Sequence, residues 1–230
     1  ADLDQDGDRD LVLGNLGENT RLKASAQKPM EIWVNDFDGN HTAEQIISMY
    51  NGDKSYPLVL QHDLVKQMPG LKKKYLYYED YEGQTIEDIF NAKQIRTAAQ
   101  STVYTTKSAI ALNDGRGNFS LQALPKAAQL APVYAIEVAD FNGDQHLDIL
   151  LGGNLHRAKP EIGIYDASRG LLLLGDGQGQ FRPLKAQQSG LRMSGEIRDF
   201  LRLSLGQEEF LLVARSDGDL LLLRSFDGLQ

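Results

Sequence analysis

The sequence contains no cysteine, which excludes both disulfide bonds and thiolate metal sites. It also contains no run of 18 or more consecutive apolar residues, the length at which a membrane-spanning helix is predicted. No secretory signal peptide is recognisable at its amino end. We therefore expect no membrane insertion, whereas the lack of cysteine is compatible with any cellular compartment.

The common catalytic signatures are missing as well. The four histidines include no HxxxH pair of the kind that binds zinc. No GxSxG nucleophile elbow and no GxxxxGK[ST] phosphate loop occurs. We therefore expect no enzymatic activity. The alternative is a carbohydrate-active enzyme, either a polysaccharide lyase or a hydrolase, because acidic residues that suit glycoside chemistry are abundant.

The composition is that of a globular, mildly acidic protein. Of the 230 residues, 41% are hydrophobic, and 32 acidic side chains against 24 basic ones give a formal charge of −8. A chain of this length is able to bury a sizeable core. The acidic balance predicts no binding to nucleic acid or to an anionic membrane surface.

Many acidic residues lie in short loops with a fixed spacing. Residues 139–154 read ADFNGDQHLDILLGGN. Oxygen-bearing side chains occupy positions one, three, five and nine of this loop: Asp140, Asn142, Asp144 and Asp148. Alternating oxygens suit Ca²⁺, which takes roughly six to eight of them. His146, at position seven, would supply its backbone carbonyl, and Gly143 permits the sharp turn.

The same spacing occurs twice more. At the amino end the four positions are occupied by Asp2, Asp4, Asp6 and Asp10, with Asp8 at position seven. The middle loop carries Asp36, Asp38, Asn40 and Glu44. All three loops have an apolar residue at position twelve, where an EF-hand needs an acidic ligand, so they are not EF-hands. The sequence predicts two or three structural Ca²⁺ ions, and three would offset most of the net charge.

Two segments repeat at a distance of about 60 residues, the size of a long propeller blade. SAIALNDGRGNFSLQAL and GLLLLGDGQGQFRPLKA each predict two strands joined by a glycine-rich hairpin. Each is followed by a second shared element, which begins at Ala135 and at Gly195. In this alignment Asp199 corresponds to Asp140, but the later copy carries leucines in place of the other ligands.

The motifs DLDQDGDRDLVLGN, NDFDGNHTAEQII and ADFNGDQHLDILLGGN resemble the calcium loops of FG-GAP/VCBS repeats. Such repeats form the blades of the integrin α-subunit β-propeller and of many secreted bacterial proteins. The strand exits carry Leu13-Gly14 and Leu151-Gly152 where the family has an FG-like pair. The resemblance covers most of the chain outside residues 50–107. It implies an all-β fold, a β-propeller or part of one, with three to four blades of about 60 residues and Ca²⁺ in the acidic loops.

Within this propeller portion, which spans residues 1–230, residues 57–100 do not repeat and predict a helical insertion. A helix over residues 62–74 is expected to break at Pro69-Gly70, and a capping box at residues 85–88 is expected to open a second helix through Thr97. Six tyrosines lie here or at its edge: Tyr50, Tyr56, Tyr75, Tyr77, Tyr78 and Tyr81. They either pack the insertion against the propeller or form an exposed aromatic surface for a glycan or peptide.

A further loop, PEIGIYDASRG at residues 160–170, brings Glu161, Tyr165, Asp166 and Arg169 close together in sequence. It either lines a binding face or simply connects two strands through a polar network.

Together these features predict a calcium-stabilised extracellular module that acts in adhesion or as a scaffold. Its partner would be a glycan or protein ligand. Its location would be extracellular, at a cell surface or in a periplasm, because resting cytosol lacks the calcium that such sites need. Since the chain begins directly at an acidic loop, we expect it to be part of a longer protein that carries the missing blades.

Overall fold

The computed structural model describes residues 1–159, 162–206 and 208–224. Strand accounts for 37% of the chain and helix for 15%, and the strands form four antiparallel sheets, none of which is closed. The expectation of a mainly β fold is therefore confirmed. Within the described ranges, no helix is both long enough and apolar enough to cross a lipid bilayer.

The strands of the described residues are β1 (Leu11–Leu13), β2 (Met30–Asn35), β3 (Glu44–Asn51), β4 (Lys54–Pro57), β5 (Ala99–Val103), β6 (Ala109–Asn113), β7 (Phe119–Ala123), β8 (Val133–Ala139), β9 (Asp148–Gly153), β10 (Leu171–Gly175), β11 (Phe181–Pro183), β12 (Glu196–Leu205), β13 (Glu208–Ser216) and β14 (Leu221–Arg224). The α-helices are α1 (Gln61–Gln67), α2 (Tyr78–Tyr81), α3 (Ile86–Ile89), α4 (Ala92–Thr97) and α5 (Ala186–Ser189). Two 3₁₀ helices cover Pro69–Lys73 and Lys126–Gln129.

The chain divides into two compact units. The first combines Ala1–Arg21 with Lys107–Gln230, and the second is the continuous segment Leu22–Thr106. In chain order the second unit therefore lies between β1 and β6, which pair with each other in one sheet. Residues 57–100, the predicted insertion, fall inside the second unit, and α1 to α4 lie among them.

The first unit contains three sheets. Sheet I has the strand order β1-β6-β7, sheet II the order β11-β10-β9-β8, and sheet III the order β12-β13-β14. Sheet II is a simple four-stranded meander, because each of its strands pairs with the next one along the chain.

Sheet II is buried on both faces, and all six residues of β9 are buried. Successive side chains of a strand point to opposite faces, so the leucine-rich run divides between two cores. Ile149 and Leu151 belong to one apolar cluster with Ile110 of sheet I. Leu150 belongs to a second cluster with Val213 of sheet III. The three sheets therefore stack face to face with sheet II in the middle.

Glycines allow the stacked sheets to approach closely. A Cβ atom on Gly152 would lie 2.6 Å from side-chain carbons of Ile197 and Phe200 in sheet III. Gly14 directly follows β1, and a Cβ atom there would lie 2.6 Å from the carbonyl oxygen of Val133, where sheet II begins. In both places the next sheet occupies the space that a side chain would need.

The two predicted glycine-rich hairpins are confirmed. β6 pairs with β7, and β10 pairs with β11. Their turns are closed by equivalent backbone bonds, from Asp114 N–H to the Asn118 carbonyl (3.1 Å) and from Asp176 N–H to the Gln180 carbonyl (3.2 Å).

The predicted correspondence of Asp199 with Asp140 is wrong. Asp140 follows the end of β8 and opens a loop, whereas Asp199 lies inside β12 and pairs with Ala214. β12 continues to Leu205, so β12 and β13 form one long hairpin where sheet II has an acidic loop. After Asp199, residues 200–205 contain none of the turn-forming Asp, Asn and Gly residues of that loop, and the strand therefore continues.

In the second unit, sheet IV has the order β4-β3-β2-β5, and α1 to α4 lie between β4 and β5 in the chain. Trp33 and Ile46 of the sheet share one apolar cluster with Leu64, Ile86 and Phe90 of the helical segment. Sheet and helices of this unit are thus held together by one core.

The predicted helices are partly confirmed. α1 ends at Gln67 and a 3₁₀ helix begins at Pro69, so the predicted break is present. The single helix expected through Thr97 is wrong, because it is divided into α3 and α4. Asn91 stands between them and caps α4 by accepting the N–H groups of its second and third residues.

The predicted capping box at the start of α3, between Thr85 and Asp88, is confirmed. The Asp88 carboxylate accepts hydrogen bonds from the N–H and the hydroxyl of Thr85, both at 2.9 Å. These two bonds lower the pKa of Asp88. In return the Asp88 N–H faces the Thr85 side chain, and it also donates to the Thr85 carbonyl at 3.2 Å.

The tyrosines of the second unit differ in exposure. Tyr75 is buried and meets Tyr81 edge to face, with ring centroids 5.4 Å apart. Tyr77 and Tyr78 are 72% and 64% exposed. The former pair belongs to the core of the unit, and the latter pair lies on its surface.

Candidate metal-binding loops

The three acidic loops occupy equivalent places in their sheets. Residues 140–147 join β8 to β9, and residues 36–43 join β2 to β3. Residues 2–10 precede β1, and there Ala1 and Asp10 exchange two backbone hydrogen bonds of 3.1 and 2.6 Å. Ala139 and Asp148 form the corresponding pair in sheet II.

All three loops share one backbone conformation. At position four φ is 62°, 77° and 78°, and at position six it is 98°, 69° and 72°. Position four is occupied by Gln5, Gly39 and Gly143, and position six by Gly7, His41 and Gln145. Positive φ is uncommon for a residue other than glycine. The same left-handed conformations in glycine and non-glycine residues indicate that the loop geometry is imposed by its contacts.

Side-chain oxygens at positions three and five accept the backbone N–H two residues later. At position three these bonds measure 3.4, 3.1 and 3.0 Å and involve Asp4, Asp38 and Asn142. At position five they measure 2.9, 2.7 and 2.9 Å and involve Asp6, Asn40 and Asp144. Each loop is thus a series of Asx turns.

Position nine is buried and ties each loop to its sheet. Asp10 and Glu44 are 2% exposed and Asp148 is 0% exposed. Each carboxylate accepts the N–H of position two, at 2.7, 2.7 and 2.9 Å. Asp10 also accepts the N–H of Asn113, and Asp148 that of Gly175, both at 2.9 Å. Sequence reasoning treated position nine only as a ligand; the signal for its second role is its place at the start of a strand.

The first loop has the features of an unneutralised cation site. Asp2, Asp4 and Asp10 each bring one carboxylate oxygen within 4.8 Å of the others. Oδ1 of Asp2 is buried without a hydrogen-bond partner. Burial, together with the charges of Asp10, Asp6 and Asp2, raises the pKa of Asp4. Repelling carboxylates around an unpaired oxygen fit a divalent cation with oxygen ligands.

In the second loop, Asp36, Asp38 and Glu44 each bring one carboxylate oxygen within 4.8 Å of the others. In the described part of the chain, this is the other group of this kind. The Asp36 carboxylate also accepts three backbone N–H groups, from Gly39 at 2.7 Å and from Asn40 and His41 at 2.9 Å. These bonds hold the loop closed.

The third loop is closed in the same way. Asp140 accepts the N–H groups of positions four, five and six at 2.7, 3.2 and 2.9 Å. The carboxylate oxygens of Asp140, Asp144 and Asp148 do not all lie within 4.8 Å of one another. The amide nitrogen of Asn142 donates to Asp144 Oδ2 at 2.8 Å. Burial acts to raise the pKa of Asp144, but the bonds from Asn142 and from the His146 N–H outweigh it and lower that pKa.

Asp8 and His146, both at position seven, were expected to be ligands, His146 through its backbone carbonyl. The Asp8 carboxylate lies against Gly115, where a Cβ atom would be 2.3 Å from its Oδ2. Nδ1 of His146 lies 3.3 Å from Nε2 of Gln5, which also donates to the Gln145 carbonyl at 3.1 Å. Neither side chain joins the carboxylate groups, and the first and third loops are in direct contact.

A polar cluster that sequence reasoning missed lies beyond the other end of β9. Asn154 is fully buried with φ at 83°. Its amide nitrogen donates to the carbonyls of Ser168 and Gly195, both at 2.9 Å. Nε2 of His156 lies 3.0 Å from Oδ1 of Asp166. No sequence pattern marks this cluster, because its residues are brought together by tertiary contacts.

The acidic groups of this cluster are engaged in ion pairs. The buried Glu196 pairs with Arg198 at 3.1 Å. Burial acts to raise the pKa of Glu196, but the N–H of His156 and the charge of Arg198 outweigh it and lower that pKa. Of the predicted loop at residues 160–170, Asp166 joins the cluster and Tyr165 is buried, whereas Glu161 lies outside the described residues.

Comparison with models of known protein families found none that matches this chain, and comparison with curated proteins found no match.

Proposed function

We propose that the chain is a calcium-stabilised module of β-propeller type that serves as an extracellular binding or scaffold domain without catalytic activity. The observation that carries the proposal is the shared geometry of the three acidic loops, with left-handed residues at positions four and six and the same series of Asx turns. A conformation repeated in three different sequences points to one common task. Oxygen ligands at alternate positions make calcium the cation that fits best.

The residues that would hold the ion differ in accessibility. In the first loop Asp2, Asp4 and Asp10 surround the unpaired Oδ1 of Asp2, which favours this site for the tightest binding. The ion would neutralise carboxylates that otherwise repel one another. Asp6 would complete the set from position five. The bound ion is structural in this proposal, since the protein supplies the oxygens.

The stacking of the first unit supports the propeller assignment. Sheet II is a four-stranded meander, and sheets I and III cover its two faces through alternating residues of the same strands. A propeller is built from such stacked meanders. The four sheets of the described residues are open, so the closed ring belongs to the proposal.

A binding role is supported by the second unit. It contains a cavity of about 510 Å³ lined by Phe37, Asp38, Lys74, Asp88 and Phe90, among others. A cavity of this size accommodates a small ligand such as a sugar or part of a peptide. Asp38 also belongs to the second acidic loop, so calcium there would shape one wall of the cavity. The extracellular location follows from the calcium supply that such sites require.

The test is thermal unfolding in millimolar calcium and in excess EGTA. Binding of one ion at a hundredfold excess over its dissociation constant stabilises the folded state by about 2.7 kcal/mol. We expect calcium to raise the melting temperature and Asp4→Asn to remove part of that increase. Asp53→Asn is the matched control, because the Asp53 side chain is 99% exposed and lies outside the loops.

Calorimetric titration would give the number of ions bound. Equal melting temperatures in calcium and EGTA, together with no binding heat, would contradict the proposal. An unchanged calcium response in Asp4→Asn would remove the first loop from it.

A further inference from the structure

Asparagine is directly followed by glycine at two places in the chain, Asn51-Gly52 and Asn142-Gly143. Asparagine is a thermolabile residue. Its side-chain carbonyl carbon, Cγ, is attacked by the backbone nitrogen of the next residue, and glycine obstructs this nitrogen least because it has no side chain. Both dipeptides are therefore candidates for a spontaneous covalent modification, and the structure distinguishes them.

The two glycines have similar steric surroundings. φ is 66° at Gly52 and 78° at Gly143. A Cβ atom added to either glycine would meet no atom within 4 Å outside the neighbouring residues. Steric access to the reacting nitrogen is thus alike at the two places, so hydrogen bonds and neighbouring charges decide the difference in reactivity.

Asn142 and its glycine are held by three hydrogen bonds. Oδ1 of Asn142 accepts the Asp144 N–H at 3.0 Å, and its Nδ2 donates to Asp144 Oδ2 at 2.8 Å. The Gly143 N–H, which carries the reacting nitrogen, donates to Asp140 Oδ1 at 2.7 Å. The side chain and the nitrogen have to leave these partners before they react. Loss of one such bond lowers the population of the reactive conformation roughly tenfold.

Asn51, the last residue of β3, is free of such restraints. Its side chain is exposed. In the described part of the chain, neither this side chain nor the Gly52 N–H forms a hydrogen bond. The turn between β3 and β4 also lies at an edge of sheet IV. The side chain is therefore able to rotate towards the Gly52 nitrogen without breaking a contact.

Two lysines flank this turn. Lys54 pairs with Asn51 across the hairpin. Nζ of Lys28 donates to the Gly52 carbonyl at 2.6 Å and to Asp53 Oδ1 at 3.0 Å. The reaction passes through an anionic nitrogen and an oxyanion, both of which nearby positive charge stabilises. Asp53 offsets one of the two lysine charges, so an excess positive charge remains at the turn.

We propose that Asn51 is a site of spontaneous deamidation in the folded protein and that Asn142 is protected from this reaction. The Gly52 nitrogen gives up its proton and bonds to Cγ of Asn51. The Cγ–Nδ2 bond then breaks, and the amide group leaves with that proton as ammonia. Water opens the resulting succinimide ring at either of its carbonyls, which leaves aspartate or isoaspartate and one additional negative charge.

The two products differ in their effect on the hairpin. Aspartate is accommodated opposite Lys54 as a cross-strand ion pair. Isoaspartate brings the side-chain Cβ into the main chain and disturbs the pairing of β3 with β4. Asn51 lies outside the three acidic loops, so the inference depends neither on calcium nor on the proposed function.

The test is peptide mapping by mass spectrometry of the folded wild-type chain. The protein is incubated in mildly alkaline buffer with EGTA, so that no bound calcium protects Asn142, and is sampled over time. Deamidation adds about 1 Da to the peptide that contains the reacting asparagine. A parallel incubation in urea gives the rates of the two sites in the unfolded chain. Asn51→Gln is the matched control, because glutamine keeps the amide but places it one carbon too far from the backbone for a succinimide to form.

In the folded chain we expect Asn51 to react at least about tenfold faster than Asn142, whereas in urea the two rates should be similar. Isoelectric focusing should show a new acidic form in the wild type and far less of it in Asn51→Gln. Equal rates of the two sites in the folded chain, or an unmodified Asn51, would overturn the proposal. So would a difference of the same size in urea, since neighbouring residues and not the fold would then explain it.

A variant of the third loop tests the protection itself. Asp140→Ala removes the acceptor of the Gly143 N–H. We expect the Asn142 rate to move towards its value in urea, while the Asn51 rate stays as in the wild type and circular dichroism verifies the fold. An unchanged Asn142 rate in this folded variant would contradict protection by these hydrogen bonds.

Discussion

Replacement of Asp148 by alanine is expected to destabilise the first unit even without calcium. The Asp148 carboxylate is fully buried and accepts the N–H groups of Phe141 and Gly175, each at 2.9 Å. A hydrogen bond to a charged group contributes about 1.5–3 kcal/mol, so two bonds represent about 3–6 kcal/mol. Part of this is offset because burial raises the pKa of Asp148, which means that its charged form is itself costly to bury. We therefore expect a net loss of about 2–4 kcal/mol.

Asp144→Ala is the matched comparison, because Asp144 lies in the same loop but is exposed. In EGTA its loss should be within about 1 kcal/mol, as for most surface positions. In calcium the same variant should also lose the binding contribution, about 2.7 kcal/mol for one site at a hundredfold excess of ion. Urea unfolding followed by circular dichroism, with and without calcium, measures all four values. Equal losses for the two variants in EGTA would refute the assigned role of position nine.

Three other substitutions test separate parts of the molecule. Glu196→Gln should lower stability by about 1–2 kcal/mol at neutral pH. Because the pKa of Glu196 is lowered in the folded state, the stabilisation by its charge is present above the ordinary pKa of 4.5 and is lost as pH falls through the lowered pKa. A stability difference between wild type and variant that persists in strong acid would contradict this role. Phe90→Ala should cost about 3–5 kcal/mol, read from the fluorescence of Trp33, which shares its core. Gly153→Ala should prevent stable folding, since its Cβ would lie 1.7 Å from a backbone carbonyl oxygen. Gly70→Ala is the control and should be tolerated, because no atom lies within 4 Å of the added Cβ. Expression level and circular dichroism compare the two variants.

Local patterns in the sequence predicted much of the fold. The hairpins β6–β7 and β10–β11 followed from an Asp-Gly turn between apolar strands, and this signal depends only on neighbouring residues. The alignment of Asp199 with Asp140 failed because a strand and a loop begin with similar residues, and only the partner strand decides between them. The division of the second predicted helix at Asn91 also escaped prediction, since asparagine is compatible with both a helix interior and a cap.

The candidate sites were predicted in part. The spacing identified the side chains of all three loops, but it could not show that position four takes a left-handed conformation even where Gln5 occupies it. Glycine lies at position four in two loops and at position six in the other, so the residue type alone does not reveal the shared backbone. The cluster around Asn154 carried no signal, because its members are joined by tertiary contacts and not by spacing.

The loops divide their work between two sets of oxygens. Positions one, three and five hold the turns, while the buried carboxylate at position nine ties the loop to the sheet in all three cases. The two roles can be separated by experiment. Substitution at position nine should lower stability in EGTA and in calcium alike, because it removes bonds between the loop and its sheet. Substitution at position five should lower stability chiefly in calcium, because it removes an oxygen of the proposed site.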